Sequence, residues 1–177
     1  MPSYIDFFAG FAATGRVLDV GVGSVPDDWS TALGADFTDE SGSAHHLVRQ
    51  FGLVDAHFDD SSGGWTCNLV NLRPGQLYRF DDWVPQPIVA RFGAFPGRIP
   101  FEELVDPVSG AGLEIHHITR THPATLEEYW IPESKVRFSL ISEYQVDDFP
   151  ALRVGDVWSV GIDARIDIPA DQRTRYR

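Results

Sequence analysis

One cysteine, one lysine and one methionine stand in the 177 residues of this chain. Each scarcity excludes something. With Cys67 alone, no intramolecular disulfide forms and no zinc site built on cysteines exists, which fits a reducing compartment and sets the cytoplasm as the expected location. Lys135 is the only lysine among fourteen basic residues, so almost no candidate remains for a catalytic lysine. Long apolar runs are missing too. Ile5 to Ala13 is interrupted by Asp6, follows no Lys or Arg, and falls far short of the ~20 residues of a membrane-spanning helix. Neither a signal peptide nor an anchor is expected, and no membrane partner.

Positive charge is also scarce. The formal net charge is -12 and the pI about 4.7. Nucleic-acid affinity rests on Lys and Arg displacing condensed counterions, so a nucleic-acid partner is not expected. The excess is uneven: Asp27, Asp28, Asp36, Asp39, Glu40, Asp55, Asp59 and Asp60 face Arg49 alone between positions 27 and 60. That segment is an acidic pole. Arg173, Arg175 and Arg177 close the chain without an acid, and residues 171–177 read as a flexible basic tail.

What the chain does have is period-two alternation. From Leu47 to Leu72, apolar and polar residues alternate on both sides of Asp59-Asp60-Ser61-Ser62-Gly63-Gly64, a run of turn formers. Two antiparallel strands, Leu53–Phe58 and Trp65–Val70, are expected around that loop. Arg16–Val22, Leu77–Phe80, Pro87–Arg91, Leu113–Thr119, Val136–Glu143 and Val157–Ile162 also read as strands. Pro26 opens a short helix ending at Gly34, and short helices are expected over Pro100–Val105 and Ala124–Trp130. No repeat or linker divides the sequence, so the expectation is a single α+β domain, a mostly antiparallel sheet with two to four short helices.

Motifs that carry chemistry are weak throughout. Gly15 to Ser24, GRVLDVGVGS, resembles the first nucleotide-binding motif of class I S-adenosylmethionine methyltransferases. Val25-Pro26 then stands where the family places another glycine and a full helix, and a complete βαβ crossover of ~30 residues has no room before Asp36. Glu114-Ile115-His116-His117 and His122 form the densest histidine cluster. On a strand only Glu114 and His116 share a face, and zinc catalysis needs three protein ligands. Neither Val22-Gly23-Ser24-Val25-Pro26 nor Pro107-Val108-Ser109-Gly110-Ala111 meets the G-x-S-x-G elbow of a serine hydrolase. Cys67 lies in mid-strand, where a buried inert thiol is expected. No catalytic, cofactor-binding or metal-ligating residue is assigned.

Three Asp-Asp-aromatic triplets recur: Asp27-Asp28-Trp29, Asp81-Asp82-Trp83 and Asp147-Asp148-Phe149. An exposed ring beside paired acids suits a protein-binding surface, because aromatics anchor interfaces and acids steer basic partners. The competing reading caps a turn with the acids and buries the ring. Asp59, Asp60, Asp81, Asp82 and Trp83 are the residues expected to meet a partner, with Trp83 the ring expected at the surface.

Phe51-Gly52-Leu53-Val54-Asp55-Ala56-His57-Phe58 followed by Trp65 resembles a hairpin segment found in small acidic bacterial proteins common in actinobacteria. Phe51 and Asp55 stand where those proteins carry Tyr and Glu. The resemblance extends through Gly15-Arg16-Val17, Ala32-Leu33-Gly34 and Gly155-Asp156-Val157-Trp158-Ser159. Proteins of this kind are grouped with the immunity proteins of polymorphic toxin systems. The resemblance implies a non-enzymatic protein-binding domain, an immunity-type inhibitor of a basic toxin domain, without a cofactor. Two alternatives stand beside it: a small enzyme binding a nucleotide-like cofactor at Gly21-Val22-Gly23, and a homodimeric structural or regulatory module pairing edge strands such as Val136–Glu143.

Overall fold

The computed structural model describes residues 2–60, 63–80, 83–119, 126–143 and 149–176. Among these the chain forms four α-helices, two short 3-10 helices, a two-stranded hairpin and a nine-stranded antiparallel sheet, an α+β architecture. The elements run α1 (Tyr4–Thr14), β1 (Arg16–Val17), β2 (Val20–Gly21), α2 (Pro26–Leu33), β3 (Thr38–Ser43), β4 (His46–Phe51), β5 (Val54–Asp60) and β6 (Trp65–Leu72). After a 3-10 helix at Pro74–Arg79 come α3 (Gln86–Phe92), α4 (Glu102–Gly110), β7 (His116–Ile118), β8 (Leu126–Ile131), β9 (Val136–Ile141) and β10 (Val157–Asp163). A second 3-10 helix, Ala170–Gln172, leads into β11 (Arg173–Arg175). The order across the large sheet is β11-β7-β8-β9-β10-β6-β5-β4-β3.

The hairpin expected around Asp59–Gly64 is β5–β6, and β4 extends it by one further antiparallel partner. Alternation decides which side of each strand is buried. Val54, Ala56 and Phe58 of β5, Val136, Phe138 and Leu140 of β9, and Val160 of β10 enter one apolar core. The helices add Phe7, Phe8 and Phe11 of α1, Trp29 and Leu33 of α2, Ile88 of α3, and Leu104, Val105 and Val108 of α4. All four helices therefore cover the same face, and the other face of the sheet carries polar side chains.

α1 was not expected, although its ends are marked. Ser3 caps it, accepting from the Asp6 amide at 3.4 Å while the Asp6 carboxylate accepts from the Ser3 amide at 2.6 Å. Gly15, at φ +63, ends it by donating to the Phe11 carbonyl at 2.7 Å. This is capping at both helix ends.

Tertiary contacts overrule several expected elements. Arg16–Val22 is two short strands, because Leu18 turns the chain at φ +54. Pro87–Arg91 lies in α3, where Pro87 occupies the first turn and Ile88 reaches the core. Leu77–Phe80 adopts no strand: Pro74 starts a 3-10 turn in which Gly75 lies so close to Trp158 that a Cβ would sit 2.4 Å from its ring. The helix expected over Ala124–Trp130 is a strand from Leu126 onward, since Tyr129 and Ile131 pair with β9 and point into the core. The basic tail is docked rather than frayed over its described part: Arg173–Arg175 pairs with β7, and the Tyr176 amide donates to Ile115 at 2.7 Å. The Tyr176 ring packs 4.8 Å from Tyr129, which accounts for the ordering. β9 lies between β8 and β10, so Val136–Glu143 is no free edge and the dimer route through it is closed.

Candidate functional site

Two surfaces bring chemistry-bearing residues together, the acidic edge of the sheet and a cleft on its open face. The edge is β3. All six of its residues are exposed, and its outer side has no strand partner among the described residues. Asp27, Asp28, Asp36, Asp39 and Glu40 are exposed on or beside it. The one arginine of this segment is turned inward. Arg49 holds Asp39 through Nε at 2.8 Å and Nη2 at 2.9 Å, donates to the Pro26 carbonyl and the Ser30 hydroxyl of α2, and stacks 3.9 Å from the Phe37 ring. Its charge is thus spent on Asp39 and on tying α2 to the edge.

Of the acidic residues expected to meet a partner, Asp59 and Asp60 are described, and their surroundings differ. Asp59 is occupied: its carboxylate accepts from His46 Nδ1 at 2.8 Å and from the Asn68 amide, with Arg165 3.8 Å away. Asp60 is half-buried, and its Oδ1 has no hydrogen-bond partner among the described residues. Trp83 is half-buried rather than free at the surface. It stacks on Phe80 with ring centroids 4.4 Å apart, lies under the Arg73 guanidinium at 5.0 Å, and packs against the core. Asp81, Asp82, Asp147 and Asp148 lie outside the described residues. In the first triplet one acid caps and the ring is buried: Asp28 accepts from the Val25 amide at 3.2 Å, and Trp29 is fully enclosed.

The cleft crosses β5, β6, β10, β9 and β8 on the face away from the helices and has a volume of about 430 Å3. β-Bulges shape it. One between His57 and Phe58 displaces Asn68, which reaches Asp59, and one between Val157 and Ser159 turns Trp158 toward the open side. Trp158 is braced by Phe149, 4.5 Å between ring centroids. Gly161 forms part of the floor opposite Asn71, with Ser139 and Ser159 beside it. Charges around the cleft are paired internally. Arg137 Nη1 lies 3.6 Å from Glu128 Oε1, Arg165 grips Asp163 with two contacts of 2.9 Å, and Lys135 Nζ lies 3.5 Å from Asp167.

Burial and these partners set the ionisation of the face. The Arg165 contact holds the Asp163 carboxyl below its ordinary range. Burial, reinforced by the charges of His46 and Arg165, lowers the His57 imidazole, which is therefore neutral at neutral pH. Burial pushes Asp55 up to about 6 despite Arg73, whose Nε lies 2.9 Å away. Burial also raises the Cys67 thiol to about 12, the inert state expected for it.

The remaining sequence signals resolve into structure. The Gly21 amide donates to the Ser24 hydroxyl, the Gly23 amide to the Cys67 carbonyl, and the Ser24 amide to the Gly21 carbonyl. These three amides are committed to folding the turn, so none of them is left to cradle a phosphate. Glu114 and His116 share a face and meet at 3.0 Å, while His117 points the other way onto Tyr129. Five strand spacings of ~4.8 Å separate them from Asp55 and His57, so the two pairs do not converge. His122 lies outside the described residues. Among the described residues no group of three or more His, Cys, Asp or Glu is placed to hold a metal ion, and no helix is long and apolar enough to cross a membrane.

The cleft went unread in the sequence because its residues run from His57 on β5 to Asp163 on β10, far apart along the chain. Comparison with protein-family models, with curated proteins and with solved structures finds no match.

Proposed function

We infer that this protein is a non-enzymatic protein-binding domain, an immunity-type inhibitor that receives a basic toxin domain along the β3 edge. The observation that carries the reading is the six-residue exposed strand with Asp27, Asp28, Asp36, Asp39 and Glu40 around it and Arg49 turned inward. An unpaired edge offers main-chain donors and acceptors to an incoming strand, and the acids set its sign. Electrostatic attraction of this kind accelerates association and weakens with salt. The resemblance of the Phe51–Phe58 segment supports the same class of partner.

The test is capture of partners from the native lysate by the tagged protein at low and high salt, beside the Asp27→Asn, Asp36→Asn, Glu40→Gln triple variant. These three carboxylates enter no ion pair among the described residues, so the variant changes the field and leaves the fold intact. A stoichiometric basic protein held by the wild type, released by salt and not held by the variant is the expected outcome. Equal retention by both proteins would overturn the assignment to this edge.

A further inference from the structure

We propose that the open-face cleft is a binding site for a small uncharged polyhydroxylated ligand, a saccharide unit. It is separate from the acidic edge and does not depend on the inhibitor reading. Its volume of about 430 Å3 falls in the range of small-molecule sites, which are concave and carry a few placed polar groups on an apolar frame.

The floor is kept low by a residue that weakens a strand. Gly161 sits in the middle of β10, where a Cβ would lie 3.0 Å from the Val70 carbonyl and 3.3 Å from the Asn71 side-chain oxygen. Glycine in a strand interior sacrifices packing and entropy, and recurs where a ligand or another backbone approaches closely; here the β6 backbone does so at Val70. The absence of a side chain on Gly161 leaves the Asn71 amide and the Ser159 and Ser139 hydroxyls lining an open floor. The bulge on β10 adds a flat apolar wall, the half-buried indole of Trp158, held from behind by Phe149 and Gly75. A pyranose presents just this combination, hydroxyls around its rim and C–H groups on its faces.

Charge balance selects against ions. Glu128 and Asp163 are matched in the lining by Arg137 and Lys135, and each is engaged by a neighbour of opposite sign, so neither a phosphate nor an ammonium group finds an unspent counter-charge. Carboxylate and guanidinium groups held in place this way still offer planar pairs of acceptors and donors to vicinal hydroxyls. Neutral His57 adds one donor and one acceptor. Trp130 lines the cleft, is 2% exposed, and its indole N–H meets no acceptor among the described residues. That nitrogen has almost no accessible surface, so Trp130 contributes to the wall of the cleft and not a ligand hydrogen bond.

The experiment titrates the protein with D-glucose, N-acetylglucosamine and maltose, and separately with inorganic phosphate and L-arginine. Indole fluorescence and amide chemical shifts are read in each titration. Saturable binding of a neutral sugar, with shifts concentrated on β6, β9 and β10, is expected. Gly161→Ala, which fills the floor, and Arg137→Gln, on a partly exposed side chain, should each weaken it by about tenfold while keeping cooperative melting. Binding of phosphate or arginine in place of the sugars would overturn the proposal. So would the absence of sugar binding, or sugar binding indifferent to both variants.

Discussion

The two faces of the nine-stranded sheet are built from the same strands and do opposite work. On β5, Val54, Ala56 and Phe58 are fully buried beneath the helices, while the alternate residues Asp55, His57 and Asp59 look the other way. β9 repeats the division, with Val136, Phe138 and Leu140 against Arg137 and Ser139. The helical face is largely apolar and contributes area removed from water. On the open face polar groups are tied to one another: His46 to Asp59, Asp55 to Arg73, Arg137 to Glu128, Asp163 to Arg165. Apolar packing is concentrated on one side of the strands and polar side chains on the other, so substitutions one residue apart along a strand should separate stability from surface chemistry.

The comparison breaks most sharply at Phe138. Its ring is fully buried and lies 5.3 Å from Phe101, so Phe138→Ala should cost about 3–5 kcal/mol in denaturant unfolding. A loss no larger than that of a surface substitution would show that the helices do not pack as described.

On the open face the expected effect is smaller and depends on pH. Asp55 has its folded-state pKa raised from 3.8 to about 6 by burial, so the folded form holds its proton longer than the unfolded form. Its favourable contribution is complete below the unfolded value and is lost as pH rises through about 6. Two pKa units correspond to about 3 kcal/mol, and Asp55→Asn should remove that slope. The stability difference between variant and wild type, followed by thermal melting from about pH 4 to about pH 7, should shift toward the variant as pH rises. A constant difference would place the titration on another group.

The smallest effect belongs to the edge. The Asp27→Asn, Asp36→Asn, Glu40→Gln triple variant should keep its unfolding midpoint within about 0.5 kcal/mol of wild type, because these side chains are exposed. A markedly destabilised triple variant would make the acids part of the fold and not of a docking surface.

Much of this was legible along the chain wherever one face of a strand was wet. β5 and β6 carry a period of two around a cluster of Asp, Ser and Gly, and they pair as that pattern dictates. The opposite orientations of His116 and His117 followed from the same rule. The pattern failed where both readings fit. Leu126-Glu127-Glu128-Tyr129-Trp130 has the composition of a helix, and only pairing with β9 makes it a strand. Pro87–Arg91 has β-branched residues at its centre, yet Ile88 reaches the core from a helix. α1 carried its signals openly, in Ser3, Asp6 and Gly15, but an apolar segment near a chain end draws attention to targeting before capping.

The sequence by itself determined the α+β class, the central hairpin, the inert thiol and the sign of the surface, because these rest on neighbours in the chain and on composition. Tertiary structure alone decided that β10 lies between β6 and β9, and so that His57, Asn71, Gly161, Arg137 and Trp130 line one cleft. Alternation fixes which side of a strand a residue occupies. The order of strands is fixed instead by which apolar faces fit together beneath the helices, a long-range sum that no local window contains.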